Sequence, residues 1–316
     1  MIKDNAMQPG RTCPLDYRTE AAMLAGMPTL AAETLYVVGG LYGNRFALDT
    51  IEALAAREPG PVAIVFNGDA HWFDAEPGPF ARLEERLARH PAIRGNVETE
   101  LGRDSQSGAG CGCAYPGTVD QATVDRSNAI MERLQSAAAL WPAAGARFRA
   151  LPPMMRAKVG EARIGIVHGD PTSIAGWGFS RESLDDPGAR GWIGRLFVEA
   201  DVDVFASTHT CGAAMRRFDA AGARKLVANN GSAGMGTFAG SSAGLITRIG
   251  VKPSPHEALY EAPVLNAHVA ALPVPFDLTA FLAEFDAIWP EGSPAALSYR
   301  TRILGGSIDT LDAALP

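Results

Sequence analysis

Asp69, Asn96, His168 and His209 are the residues whose types and placement point most directly to chemistry. The apolar run "PVAIVF" leads into Asn67-Gly68-Asp69, "RIGIV" into His168-Gly169-Asp170, and "VDVFAS" into Thr208-His209. A short strand expected at Ala92–Ile93 leads into Gly95-Asn96-Val97-Glu98. Carboxylate, carboxamide and imidazole groups gathered at the ends of buried strands are hard-to-borderline metal ligands. A carboxylate can bridge two ions while neutral imidazoles and an amide oxygen complete the shells. The cysteines lie near the same places. Cys211 closely follows His209, Cys111 and Cys113 sit in the glycine-rich loop after Asn96, and Cys13 is near the start in "RTCPLDYR". Thiolates bind zinc or iron well, whereas lone cysteines otherwise serve as small buried hydrophobes.

Positioning these groups requires strands that stop abruptly and helices that pack behind them. "TLYVV" is a β-branched and aromatic run that ends at Gly39-Gly40 and passes through Leu41-Tyr42-Gly43-Asn44 into helical spacing at Ala47, Ile51, Leu54 and Ala55. "PFARLEERLARHP" places Phe80, Leu83 and Leu87 on one helical face. Gly102 to Gly117 reads as a Gly/Ser/Cys loop, and Thr118 with Gln121 as a capping box opening a helix towards Leu140. "MMRAKVGEARIGIV" reads as a hairpin around Gly160, "MRRFDAAGARKLVANN" as another hairpin, and "GLITRIGV" as a strand. The last part of the chain holds extended segments and a helix near Leu278–Ile288. Strands alternate with helices first and then meander, which predicts an α/β chain with two packed sheets and helices outside.

The chain has 316 residues, 47 % apolar and 20 % charged, an ordinary soluble composition with material for a large core. A net charge of −7 argues against a general nucleic-acid grip. No apolar run approaches the roughly 18 residues of a membrane span. The early residues Lys3, Asp4, Arg11, Asp16, Arg18 and Glu20 leave no apolar signal core. The expected location is the cytoplasm, where the thiols are reduced.

Six strand-end blocks in order, from Leu35 to about Gly234, give the chain a resemblance to the calcineurin-like metallophosphoesterase superfamily. That pattern runs Asp-x-His-Gly-Asn, Gly-Asp, Gly-Asn-His-Asp/Glu, His-Gly, Gly-His-x-His, then Asn-Pro-Gly-Ser. The resemblance implies a fold of two mixed sheets sandwiched between helices, with residues 34–255 as the core, 1–33 as an N-terminal extension and 256–316 as a C-terminal extension packed on it. It implies that Asp69 bridges two metals, that Asn96 and His168 bind the second, and that His209 is the last histidine of its block and binds the first. Ser232 and Gly234 match the loop after it.

The departures define the problem. Gly40 stands where the first aspartate is expected and Tyr42 where its histidine partner is expected; Val97 replaces the leaving-group acid and Ser207 the second-metal histidine. One expectation is a remodelled site, in which Cys211, Cys111 and Cys113 supply ligands beside Asp69, Asn96, His168 and His209 for one or two ions of zinc, iron or manganese. Asp69, His209, Tyr42 and His71 are then the candidate catalytic residues, acting on a phosphodiester or phosphoanhydride of a small phosphorylated molecule or nucleotide. The alternative is a catalytically inactive binding or regulatory protein on the same fold, and the residues leave open whether the chain is an enzyme. Glu98 and Asp170 are expected to orient the imidazoles, Arg45 and Arg94 to clamp a phosphate or pair with carboxylates, and Trp72 and Trp177 to stack a base or close the core. A dinucleotide fingerprint at Gly39-Gly40-x-x-Gly43 lacks the required spacing, and a cysteine nucleophile has Cys211 near His209 as its local candidate.

Overall fold

The computed structural model describes residues 8–104 and 108–316. Residues 1–7 of the N-terminal extension and 105–107 of the glycine-rich loop lie outside the described residues.

The strands are β1 (Thr29–Ala32), β2 (Thr34–Val38), β3 (Val62–Phe66), β4 (Met154–Val159), β5 (Ala162–Val167), β6 (Val204–Ser207), β7 (Ala214–Ala220), β8 (Ala223–Asn229), β9 (Gly244–Gly250), β10 (Tyr260–Val264) and β11 (Ala267–Val274). The helices are α1 (Arg45–Ala56), α2 (Pro77–Leu87), α3 (Asn96–Leu101), α4 (Gln121–Ala138), α5 (Pro142–Ala150), α6 (Arg181–Asp185), α7 (Arg190–Ala200), α8 (Leu278–Ile288) and α9 (Pro294–Gly305). One sheet has the order β1-β4-β5-β6-β8-β7 and the other β10-β11-β9-β2-β3. The expected boundaries at 33/34 and 255/256 fall within these sheets: β1 pairs with β4, and β10 and β11 extend the sheet through β9.

Strand alternation builds the layers. On β2, Leu35 and Val37 join the core between the sheets, with Ile164, Ile166, Val204 and Ile249. Tyr36 and Val38 point the other way, onto Leu48, Ile51 and Leu54 of α1 and Leu83 and Leu87 of α2. On β6, Val204 and Ala206 face the sheet interface while Phe205 packs on Ile193, Leu196 and Phe197 of α7. Because both faces are covered, β2 is buried at every residue, as expected of a continuous apolar strand rather than an alternating one.

The parallel strands β2 and β3 of one sheet, and β5, β6 and β8 of the other, release their loops at one edge of the sandwich. Asn67 ties the sheets together there by donating to Val167 O at 3.1 Å, and Asn230 does so by donating to Gly39 O at 3.0 Å. Some local expectations are corrected. Ala92 makes only an isolated bridge to Phe66, and Asn96–Leu101 form a helix. The cap of α4 is Asp120, whose carboxylate accepts from Thr123 N, rather than Thr118. The segment after α8 supplies a further helix, α9. Among the described residues no helix is long and apolar enough to cross a membrane.

Candidate metal centre

Asp69, Asn96, His168 and His209 come together at this edge, all buried. His168 Nε2 lies 3.1 Å from Asn96 Oδ1, 3.3 Å from Asp69 Oδ1 and 3.1 Å from His209 Nδ1. Main-chain carbonyls set both imidazole orientations. His168 Nδ1 donates to Asn67 O at 2.8 Å, and His209 Nε2 donates to Cys113 O at 3.2 Å. The Asn96 carboxamide is oriented the same way, because its Nδ2 donates to Cys111 O at 3.0 Å. Four lone-pair atoms therefore face one point: two oxygens and two ring nitrogens whose other nitrogens are already used. Acceptors so arranged repel one another unless a cation or proton lies among them. The donor set of one carboxylate, one amide oxygen and two neutral imidazoles suits a divalent transition metal, and Asp69, His168 and His209 offer ligand atoms within 4.8 Å of one another.

Without metal, the charges settle on a proton. Burial disfavours an imidazolium at His168, but the Asp69 carboxylate and Asn67 O outweigh it and raise its pKa. Burial likewise opposes ionisation of Asp69, yet the facing His168 and His209 hold its carboxyl below the ordinary range. Burial and the charge on His168 push His209 down to about 3. One proton on His168 Nε2 thus serves the acceptors that a metal would.

The support around these ligands is mostly backbone geometry. Glu98 accepts from the N–H groups of Asp69, Ala70 and Gly95, each at 2.9 Å, and locks the β3 loop to the start of α3. Asp69 Oδ1 also accepts from Val97 N. Gly95 must lack a side chain, since a Cβ there would sit 2.5 Å from Asp69 Oδ1 and 2.8 Å from the His168 ring. Tyr42, Asp69 and Cys211 all adopt left-handed backbone (φ 54°, 55° and 58°) and all line the same cavity. Strained non-glycine residues concentrate at functional sites.

Several expectations about individual residues are corrected by this geometry. His209 Nδ1 lies 3.1 Å from His168 Nε2, in one buried group with Asp69. Ser207 is no substitute ligand: its hydroxyl donates to His168 O and Gly169 O. It is Cys211 that lies on the Tyr42 side, with its Sγ 2.8 Å from the Tyr42 hydroxyl. The close group of ligand atoms is Asp69, His168 and His209, without a cysteine; Cys111 O accepts from Asn96 Nδ2 and Cys113 O from His209 Nε2, and the Cys113 Sγ also accepts from Asn96 Nδ2 at 3.6 Å. Without a metal, burial raises the Cys113 and Cys211 thiols above their usual pKa. His71 does not face the cavity; its ring nitrogens lie 2.6 Å from Asp74 and 3.1 Å from Glu84, and it stacks on Phe80. Glu98 binds main-chain N–H groups, and Asp170 accepts from Thr172 and Gly178, so neither orients an imidazole. Arg45 pairs with Glu284, and Arg94 donates to Leu151 O.

Tyr42 packs over Gly40: a Cβ on Gly40 would lie 2.8 Å from the Tyr42 ring, so the ring occupies the space that a side chain at position 40 would need. Above the donors is a cavity of about 180 Å³ lined by Asp69, Asn96 and His209 and by Trp72, Val97 and Trp177 among others. Tyr299 and Arg302 of α9 also line it, and sequence reading missed both. They follow no strand, and only helical spacing in the last part of the chain would have placed them together.

No family model matches the chain, and no curated protein matches it. Solved structures do. A metallophosphoesterase from Sphaerobacter thermophilus aligns over 87 % of this chain and 100 % of its own, with 17 % identity and a TM-score of 0.55. A hypothetical protein from Pyrococcus horikoshii aligns over 89 % of this chain and 100 % of its own, with 14 % identity and a TM-score of 0.58. Likeness at this identity establishes the architecture, two mixed sheets between helices.

Proposed function

We propose, from the premise that this chain has the calcineurin-like metallophosphoesterase fold, that it binds one divalent cation and hydrolyses a small phosphodiester or phosphoanhydride. Asp69, Asn96, His168 and His209 would hold the ion. The observation that supports this is the convergence of their four lone-pair atoms at the floor of a cavity, with three of the four residues on its wall. Protein donors on one side and a cavity on the other match a catalytic site with an open position rather than a closed structural one. A bound zinc, iron or manganese ion supplies a Lewis acid for a phosphoryl oxygen and acidifies a water.

The chain's own groups do the rest. Asp69 balances the ion's charge. The carbonyls of Asn67 and Cys113 keep the imidazole lone pairs aimed inward. Arg302, anchored through Nε to Gly236 O and through Nη2 to Cys211 O, carries positive charge at the cavity wall. Val97 offers no proton to a leaving group, and burial raises the phenol pKa of Tyr42, Tyr115 and Tyr299. A leaving group must therefore depart as a stable anion, which favours diesters and anhydrides over simple alkyl monoesters.

The test is hydrolysis of bis(p-nitrophenyl) phosphate by full-length protein with added zinc, manganese or iron(II), beside His168→Ala. Metal-dependent turnover that His168→Ala abolishes supports the reading. A second reading, a non-catalytic binding protein that retains one cation, is favoured by the Tyr42 ring packing over Gly40, where the resemblance expects a metal-binding aspartate. Absence of turnover in protein that holds its metal selects it.

A further inference from the structure

Five aromatic side chains stand among the residues that line the cavity above the metal donors: Tyr42, Trp72, Tyr115, Trp177 and Tyr299. At about 180 Å³ it is smaller than the roughly 300–1,000 Å³ of pockets that enclose drug-sized ligands. A phosphoryl group with a short substituent matches that size better than a whole nucleotide.

The polar tips of three of these rings are already engaged by the protein. Tyr42 Oη lies 2.8 Å from Cys211 Sγ, Tyr115 Oη 3.1 Å from Ser127 Oγ, and Trp177 Nε1 donates to Cys113 O at 3.2 Å. The wall therefore offers ring surface but few free donors or acceptors with which to read the edge of a base. Nor are the rings set as a flat slot. The Tyr115 and Trp177 planes are inclined at 51° with centroids 6.2 Å apart, which suits a rounded group more than a planar one. A rounded group recognised by aromatic faces without hydrogen bonds is a methylated ammonium, held by cation–π attraction. Asp69 is the acidic residue on the wall and Arg302 the basic one, so a cationic group must bring its own counter-charge.

We infer that this cavity takes the phosphocholine-like end of a small zwitterionic phosphodiester, with the quaternary ammonium among the rings. Its phosphoryl end lies towards the metal donors and Arg302, and that half of the inference rests on the function proposed above.

The test measures binding to metal-replete, full-length protein by calorimetry, using phosphocholine, its uncharged carbon isostere neohexyl phosphate, and AMP. Phosphocholine is expected to bind at least about tenfold more tightly than neohexyl phosphate, the scale of a cation–π contribution in a desolvated site. Equal binding of the two, or tighter binding of AMP, overturns the inference. Tyr115→Leu, which leaves the donor set intact, is expected to reduce the preference towards unity; an unchanged preference also overturns it. Hydrolysis of bis(p-nitrophenyl) phosphate is read on the same preparation. Ammonium preference without turnover upholds the inference and removes the hydrolase reading, whereas turnover without preference removes the inference alone.

Discussion

His168 Nε2 and His209 Nδ1 face each other at 3.1 Å, while the remaining nitrogen of each ring is committed to a main-chain carbonyl. Two imidazoles locked in that relation need a positive charge between them. Metal and proton therefore compete for His168. Its raised pKa means that, at pH values below it, a metal must displace one proton, whereas His209, at about 3, stays neutral and adds none. Metal affinity should be flat above the His168 pKa and fall about tenfold per pH unit below it, with a slope of one proton. Competition titrations against a chelator of known pH dependence measure this; a slope of two would show that both rings are protonated.

Gly40 and Tyr42 act as a pair. A Cβ at position 40 would meet the Tyr42 ring at 2.8 Å, at a φ of 63° that side chains rarely adopt. Gly40→Ala should cost about 1–3 kcal/mol through overpacking and backbone strain. The cost should shrink in a Tyr42→Ala background, leaving only the backbone term. Denaturant melts of the four proteins of this cycle give the coupling; additive effects would mean the ring does not hold that space.

Glu98 satisfies three buried N–H groups at the junction of the β3 loop and α3. Glu98→Ala leaves all three without a partner. At roughly 1 kcal/mol or more for each orphaned group, the variant should lose about 3 kcal/mol or more, and its metal content should fall because Asp69 and Asn96 lie on either side of the lock. Chemical denaturation with parallel metal analysis checks both.

His71 is a structural cation. Burial opposes its charge, but Asp74 and Glu84 prevail and raise its pKa to about 10. A raised folded-state pKa gives stability that is complete below the unfolded value of 6.5 and is lost as pH climbs from 6.5 towards 10. Wild-type stability should decline across that window, and His71→Gln should remove that part of the decline while lowering stability at pH 6. Urea melts between pH 6 and 10 decide it.

Much of the architecture was legible because the strands that carry the site are buried on both faces. "TLYVV", "VAIVF" and "RIGIV" announce themselves by composition, and the residues that follow them are where the donors lie. Asp69, His168 and His209 were legible for that reason; Asn96 opens α3 with only the isolated Ala92 bridge before it. What misled was proximity in sequence. Cys111 and Cys113 sit near the right residues, but their loop turns its carbonyls towards Asn96 and His209, a choice of backbone direction that spacing does not encode, and the Cys211 Sγ turns to the Tyr42 hydroxyl. His71 was misread in the same way, since its partner Glu84 comes from α2. Tyr299 and Arg302 reach the cavity only through the packing of α9 on α4, a long-range contact with no local signature.

The most direct test of the central claim is metal stoichiometry by mass spectrometry on full-length protein reconstituted with zinc or manganese and freed of excess. Asp69→Ala, Asn96→Ala, Cys113→Ser and Cys211→Ser are analysed beside the wild type. One equivalent in the wild type is expected, lost in Asp69→Ala, much weakened in Asn96→Ala, and retained in both cysteine variants. Two equivalents, or loss of metal on replacing either cysteine, would contradict a single centre built from two oxygens and two imidazoles.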